Sequence, residues 1–168
     1  MAQILFISES QIKNQTNIET NVDGKILNNV IKDVQELQLK PILGNTLYNA
    51  LLNEVGEFIV SGTTIPAGHQ ELLNDYVRPF MLNASVSDFI IWNQYKISNK
   101  GVLKLGDDQA TPVQPQELEY LRNYYQNRAS QHKANLVEYL KMNNQIQPGE
   151  THDTNVTTAS IGWYLERK

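Results

Sequence analysis

Few residues in the chain are of a type and spacing that could do chemistry. Three histidines stand at 69, 132 and 152. None is paired with another His or with Glu at a helical metal-site spacing such as HExxH. His132 falls on the apolar stripe of a long C-terminal helix, where a packing role is expected. His69 lies near a helix start and His152 in a polar tail. Asp107-Asp108 is an acidic pair in a predicted loop; such a pair could hold a cation or a basic partner, but a solvated turn is the expected reading. Glu117 and Glu119 sit in the first turn of the last helix, where negative charge complements the helix dipole. The chain has no cysteine, which excludes disulfides, thiolate nucleophiles and zinc–thiolate sites. There is no GxSxG nucleophile motif. Gly101 and Gly106 lack the Lys-Ser/Thr of a phosphate loop and the GxGxxG spacing. The expectation is a non-catalytic protein with no cofactor and no metal.

The charge pattern excludes a further class. The 14 Lys and Arg residues are dispersed and the net charge is −4. Nucleic-acid binding relies on clustered cations that displace phosphate counterions, so sequence-independent DNA binding is not expected. Hydrophobic residues make up 40% of the chain and charged residues only 19%; Asn and Gln take up the difference. Neutral amides keep a surface wet without a strong field. That suits a protein with large contacts to other proteins, and it suits an AT-rich genome as well.

The elements that must carry these residues are mostly helical. A length of 168 residues fits one domain, which at that size buries roughly 70% of its unfolded surface. Ile4-Leu5-Phe6-Ile7 is an apolar run too short for a signal-peptide core, and no stretch approaches a membrane span; the chain reads as soluble and unexported. After an extended start at Gln3–Ile7, Ser8 and Gln11 form a capping-box pattern for a small helix. A second helix is predicted over about Asp23–Leu39, with Ile26, Leu27, Val30, Ile31, Val34 and Leu37 on one face, Asp23 as N-cap and Pro41 as its stop. A third is predicted over Asn45–Val55, ended by Gly56, with Phe58-Ile59-Val60 as a short buried run. The fourth, His69–Tyr95, carries an apolar stripe wide enough for burial on more than one side; Pro79 predicts a kink or break inside it. Ser98 to Pro115 is irregular, with Val102-Leu103-Lys104-Leu105 as a short strand of a β-hairpin or extended arm. A last helix runs from about Pro115 to Met142, roughly 40 Å long, with Leu118, Leu121, Tyr125, His132, Leu136 and Leu140 on one face.

Two apolar segments lie outside this helical core. Val102, Leu103 and Leu105 stand in the arm. Ile161, Trp163, Tyr164 and Leu165 stand beyond a polar linker. Chain ends fray unless they dock on something. The aromatic tail therefore either folds back on its own domain or inserts into a neighbour, where Trp and Tyr are favoured anchors. Both segments are candidate protein-interface residues. The architecture read from the sequence is mainly α: a small bundle of about four to five helices over residues 1–143, with an arm and an extended C-terminal tail over 144–168.

The segments Ile7-Ser8-Glu9-Ser10-Gln11-Ile12-Lys13-Asn14, Asn21-Val22-Asp23 and Leu39-Lys40-Pro41-Ile42-Leu43-Gly44-Asn45-Thr46-Leu47-Tyr48 resemble the head–tail connector proteins (portal adaptors, neck rings) of tailed phages. The nearest likeness is to those of crAss-like and other Bacteroidetes phages. Asn99-Lys100-Gly101-Val102, Glu117-Leu118-Glu119-Tyr120-Leu121 and Gly162-Trp163-Tyr164 are similar too, so the likeness covers most of the chain in order. The resemblance implies a helical bundle whose copies, typically twelve, form a ring under the portal vertex. Such a ring extends the DNA channel and offers a platform to the next neck or tail protein. Its partners would be further copies of itself, the portal and that next protein. DNA would pass through without specific binding, no membrane would be involved, and the protein would reside in the virion after assembly in the host cytoplasm. The arm would be about residues 98–114 and the tail 144–168.

Two other classes stay open on sequence. A DNA-packaging or DNA-binding accessory protein needs a helix-turn-helix with a basic face; the Leu39–Gly44 turn is superficially similar, but Lys and Arg are sparse around it. A small helical enzyme or regulator needs convergent polar residues in a closed pocket. Trp163→Ala is expected to weaken assembly, measured by native mass, more than it lowers the melting temperature of the isolated chain. An equal loss of monomer stability would identify the fold-back arrangement instead.

Overall fold

The computed structural model describes residues 4–93, 95–98, 101–104, 114–143 and 145, with backbone alone at 95–98 and 101–104. Over these residues the protein is a mainly helical bundle with one small hairpin. The predicted capping box is formed: Gln11 N–H donates to Ser8 Oγ at 3.2 Å and Ser8 N–H donates to Gln11 Oε1 at 2.9 Å. It starts helix α1 (Glu9–Gln15). Asp23 caps helix α2 (Gly24–Asp33) by accepting from Lys25 N–H at 2.8 Å.

Pro41 does not stop the chain's helical course as the sequence predicted. Helix α2 passes into a π segment, Val34–Leu39, in which Lys40 N–H bonds back to Gln35 O. Helix α3 (Lys40–Ser61) then begins with the proline in its first turn. In an α-helix the ring of Pro41 would press on the carbonyl of Leu37. The π turn adds one residue to the ring of atoms closed by each hydrogen bond and opens the ladder where the ring needs room. The same arrangement recurs at Pro79, where a kink or break was predicted. Helix α4 (Ala67–Glu71), a second π segment (Leu72–Val77) and helix α5 (Arg78–Trp92) follow without interruption, and Arg78 N–H bonds back to Leu73 O. Both prolines sit two residues after the end of a π segment. Helix α5 ends at Trp92, and Tyr95, predicted helical, opens a strand.

The added residue also changes which side chains face inward. Leu27, Val30, Ile31 and Val34 are buried as the stripe predicts, but Leu37 is 74% exposed, while Gln35 and Leu39 are buried. Beyond Val34 the inward position falls five residues on rather than three or four. The break placed at Lys40 lies instead at Gly44, whose φ of 75° and ψ of 160° fall in a region that only glycine adopts without strain. Gly56, predicted to end α3, stays helical; a Cβ there would stand 2.7 Å from Ile4 Cδ1, so this glycine lets the N-terminal segment approach. The helix ends at Gly62, left-handed at φ 70°, whose N–H bonds to Phe58 O.

Strands β1 (Tyr95–Ser98) and β2 (Gly101–Lys104) pair antiparallel, Ser98 opposite Gly101 and Tyr95 opposite Lys104. The described part of the predicted arm belongs to a hairpin that starts three residues earlier than the arm's sequence bound; residues 105–113 lie outside the described residues. Helix α6 (Pro115–Met142) has the predicted limits. Helix α5 packs along α6 and against α2 and the first π segment. It is buried on several sides, from Phe80 and Met81 through Ala84, Ser85 and Val86 to Phe89, as its wide stripe predicted.

The N-terminal segment is held by one buried amide. Gln35 Oε1 accepts from Phe6 N–H at 2.9 Å, and Gln35 Nε2 stands 3.1 Å from both Ile4 O and Tyr48 Oη. Replacing it with Leu removes all these bonds and leaves buried backbone groups unpaired. Gln35→Leu is expected to lower stability by about 2–3 kcal/mol, measured by chemical denaturation, and to raise amide exchange at Phe6 first.

Candidate functional site

The histidines build no reactive set. His69, near the start of α4, lies 2.8 Å from Glu54 Oε2 of α3, which joins the two helices at their half-exposed edges. His132 is half-buried on α6. Burial, then the Arg128 guanidinium, holds its pKa below the usual imidazole value. Its ring lines a hollow between α5 and α6. His152 and the Asp107-Asp108 pair lie outside the described residues. Glu117 occupies the first turn of α6 as expected, whereas Glu119 falls beyond it. Among the described residues no group of His, Asp and Glu could hold a metal ion. No described helix is long and apolar enough to cross a membrane.

The strongest titratable perturbation belongs to Tyr48 rather than to any residue singled out from sequence. Its hydroxyl donates to Glu36 Oε1 at 2.7 Å, and Lys40 Nζ stands 5.3 Å from the ring centroid. Burial, reinforced by the Glu36 carboxylate, pushes its pKa up to about 12. On α5, burial raises the Asp88 carboxyl, opposed by Arg122 and by the bond from Gln38 Nε2 at 3.0 Å. These are packing networks that join π segment, α3 and α5, not a cluster converging on an open cavity.

Of the residues predicted to contact partners, Val102 and Leu103 lie on β2, opposite Ile97 and Lys96. Leu105, Ile161, Trp163, Tyr164 and Leu165 lie outside the described residues. The structure adds surfaces that the sequence did not disclose. Phe58-Ile59-Val60, predicted as a buried run, is the projecting end of α3: the three side chains are 53%, 65% and 87% exposed. Three consecutive positions on a helix fan over about 200°, so a helix end cannot bury them all against one neighbour. Beside this end lies a groove of about 380 Å³, lined by Leu5, Phe6, Val55, Phe58, Ile59 and Ile65 among others and reaching Arg78.

A second apolar surface lies at the other end of α5. Tyr120, Leu121 and Tyr124 are exposed on the first half of α6, and Trp92 is exposed at the close of α5. Leu121 had been placed on the inward stripe; the inward residues of α6 are deeply buried only from Ala129 onward, at Ala129, Leu136 and Leu140. The first half of the helix extends past the core. A hollow of about 340 Å³ opens there between Ile18, Val22, Phe89, Ile90, Leu118 and Leu121. The two surfaces are separated by roughly 15–20 Å along α5, from Arg78 to Phe89. The sequence signal for the second was available in part: Tyr120 and Tyr124 are aromatic residues off the stripe of a helix too long for its domain.

A family model matches residues 39–155, described as a family of unknown function (DUF6712). The chain belongs to that family. No curated protein and no solved structure matches it.

The Tyr48 network makes alkaline stability a direct readout. Between pH 10 and 12 the unfolded tyrosine has lost its proton while the folded one keeps it, so stability is full below pH 10 and falls as pH rises. The loss is expected to reach about 2–3 kcal/mol by pH 12. Tyr48→Phe should flatten that part of the denaturation-versus-pH curve relative to the wild type, and an unchanged slope would remove Tyr48 as its cause.

Proposed function

We propose that this member of the DUF6712 family is a non-catalytic structural subunit that assembles with copies of itself. Its place would be the head–tail connector ring of a tailed phage, joining the portal to the next neck or tail protein around the DNA channel. The observation that carries this is the exposed end of α3, Phe58-Ile59-Val60, bordering an apolar groove. Contiguous exposed apolar surface of this kind marks contact with another protein, and aromatic side chains are its usual anchors.

The second surface, around Trp92, Tyr120 and Tyr124, favours a ring over a two-fold dimer. A two-fold contact uses one patch twice, whereas two different patches at opposite ends suit head-to-tail contacts that close when the rotation allows. The likeness of residues 7–48 to connector proteins supplies the location in the virion. Net charge −4 is compatible with a channel wall along which DNA slides.

Native mass measurement over a range of concentrations, with and without the portal ring, tests this. The wild type is expected to form closed rings or to bind the portal. Phe58→Ser with Ile59→Ser is expected to weaken that association at least tenfold, about 1.4 kcal/mol, with little change in melting temperature because both side chains are already exposed. A chain that stays monomeric at every concentration and ignores the portal would defeat the proposal. Salt-sensitive retardation of DNA in the same preparation would favour the packaging-factor alternative.

A further inference from the structure

A hollow of about 440 Å³ between the start of α5, the second π segment, α1 and the middle of α6 has a composition unlike the rest of the molecule. Among the described residues its lining includes Arg78, Arg128 and His132, the amides of Gln11, Gln15, Asn74 and Asn83, and no Asp or Glu. The chain has more acidic than basic residues, 18 against 14, so an acid-free hollow with two guanidinium groups and an imidazole departs from its average surface.

Neither arginine pairs with a carboxylate among the described residues. The ion pairs of the described residues are Lys13–Glu9, Lys40–Glu36 and His69–Glu54. Arg78 donates from Nη1 to the neutral Asn74 amide oxygen, and its Nε is shielded from solvent with no hydrogen-bond partner. A buried guanidinium N–H left unpaired is costly. Arg128 donates from Nη1 to Tyr124 Oη at 2.8 Å and lies 5.5 Å from that ring's centroid. These contacts orient its charge without cancelling it. His132 stands one turn further along α6, close enough for Arg128 to disfavour its protonation. Two such cations sharing a hollow repel each other, and an anion between them removes that cost while matching the fork of guanidinium donors.

We infer that this hollow is a binding site for a phosphate-sized oxyanion held by Arg78 and Arg128, with His132 and the surrounding amides as further donors. The volume leaves room for a substituent on the anion. Free phosphate or a small phosphorylated molecule supplies this chemistry. A nucleic-acid backbone is disfavoured, because the basic residues are dispersed over the rest of the chain and a polyanion needs many contacts at once.

Calorimetric titration of the full chain with inorganic phosphate, against sodium chloride of equal ionic strength, tests the site. Saturable phosphate binding is expected, and Arg78→Gln and Arg128→Gln are each expected to weaken it at least tenfold; the second variant, with its exposed side chain, covers a folding defect in the first. Absence of saturable binding in the wild type, or wild-type affinity in both arginine variants, overturns the inference.

Discussion

The side-chain amide of Gln35 is the contact on which the arrangement of the bundle turns. It is 1% exposed, and it serves the backbone of the N-terminal segment through Phe6 N–H and Ile4 O and α3 through Tyr48. A buried amide is tolerated only when its donors and acceptor are met. Gln35 meets them with three partners from two separate parts of the chain. The segment it holds then covers the core with Phe6 and Ile7, both buried, and Phe6 meets Tyr48 edge to face at 5.7 Å.

Gln35 can face inward because the helix around it is widened. The π segment before Pro41 and its counterpart before Pro79 solve one problem twice. Proline removes a donor and crowds the carbonyl four residues back; a turn with one more residue accommodates both without ending the helix. The consequence differs at the two places. Before Pro41 the change of phase brings an amide into the core and turns Leu37 to solvent. Before Pro79 it keeps one continuous helical course from Ala67 to Trp92, which supplies the bundle's central helix and sets the distance between its two apolar ends.

The outer surface follows from the same geometry. Helix α3 overshoots the core at one end and α6 at the other, so Phe58, Ile59 and Val60 on the first and Tyr120, Leu121 and Tyr124 on the second are exposed where no part of the described fold covers them. They lie at opposite ends of α5 and share no residue. The basic hollow between α5 and α6 lies between these ends and touches both, since Arg78 also borders the α3 groove and Tyr124 holds Arg128.

Helix α6 and the caps of α1 and α2 were legible in the sequence to the residue, because capping chemistry and a 3.6-residue apolar period are local. The burial of α5 on several sides was legible from its wide stripe, and the turn at 99–101 with its second strand was legible as one of two alternatives, while the first strand was read as helix. The fates of Pro41, Gly56 and Pro79 were not legible. Each reads locally as a break, yet tertiary contacts kept all three within helices, with π turns upstream of both prolines and Ile4 packed against Gly56. The surfaces were hidden for the same reason. Whether Phe58-Ile59-Val60 is core or interface depends on how far α3 extends past its neighbours. Whether Arg78, Arg128 and His132 share a hollow depends on how α5 crosses α6. The sequence alone determined the helical class and the absence of cysteine chemistry; which apolar and charged side chains stand together was decided by packing, since residues 50 positions apart meet only when helices do.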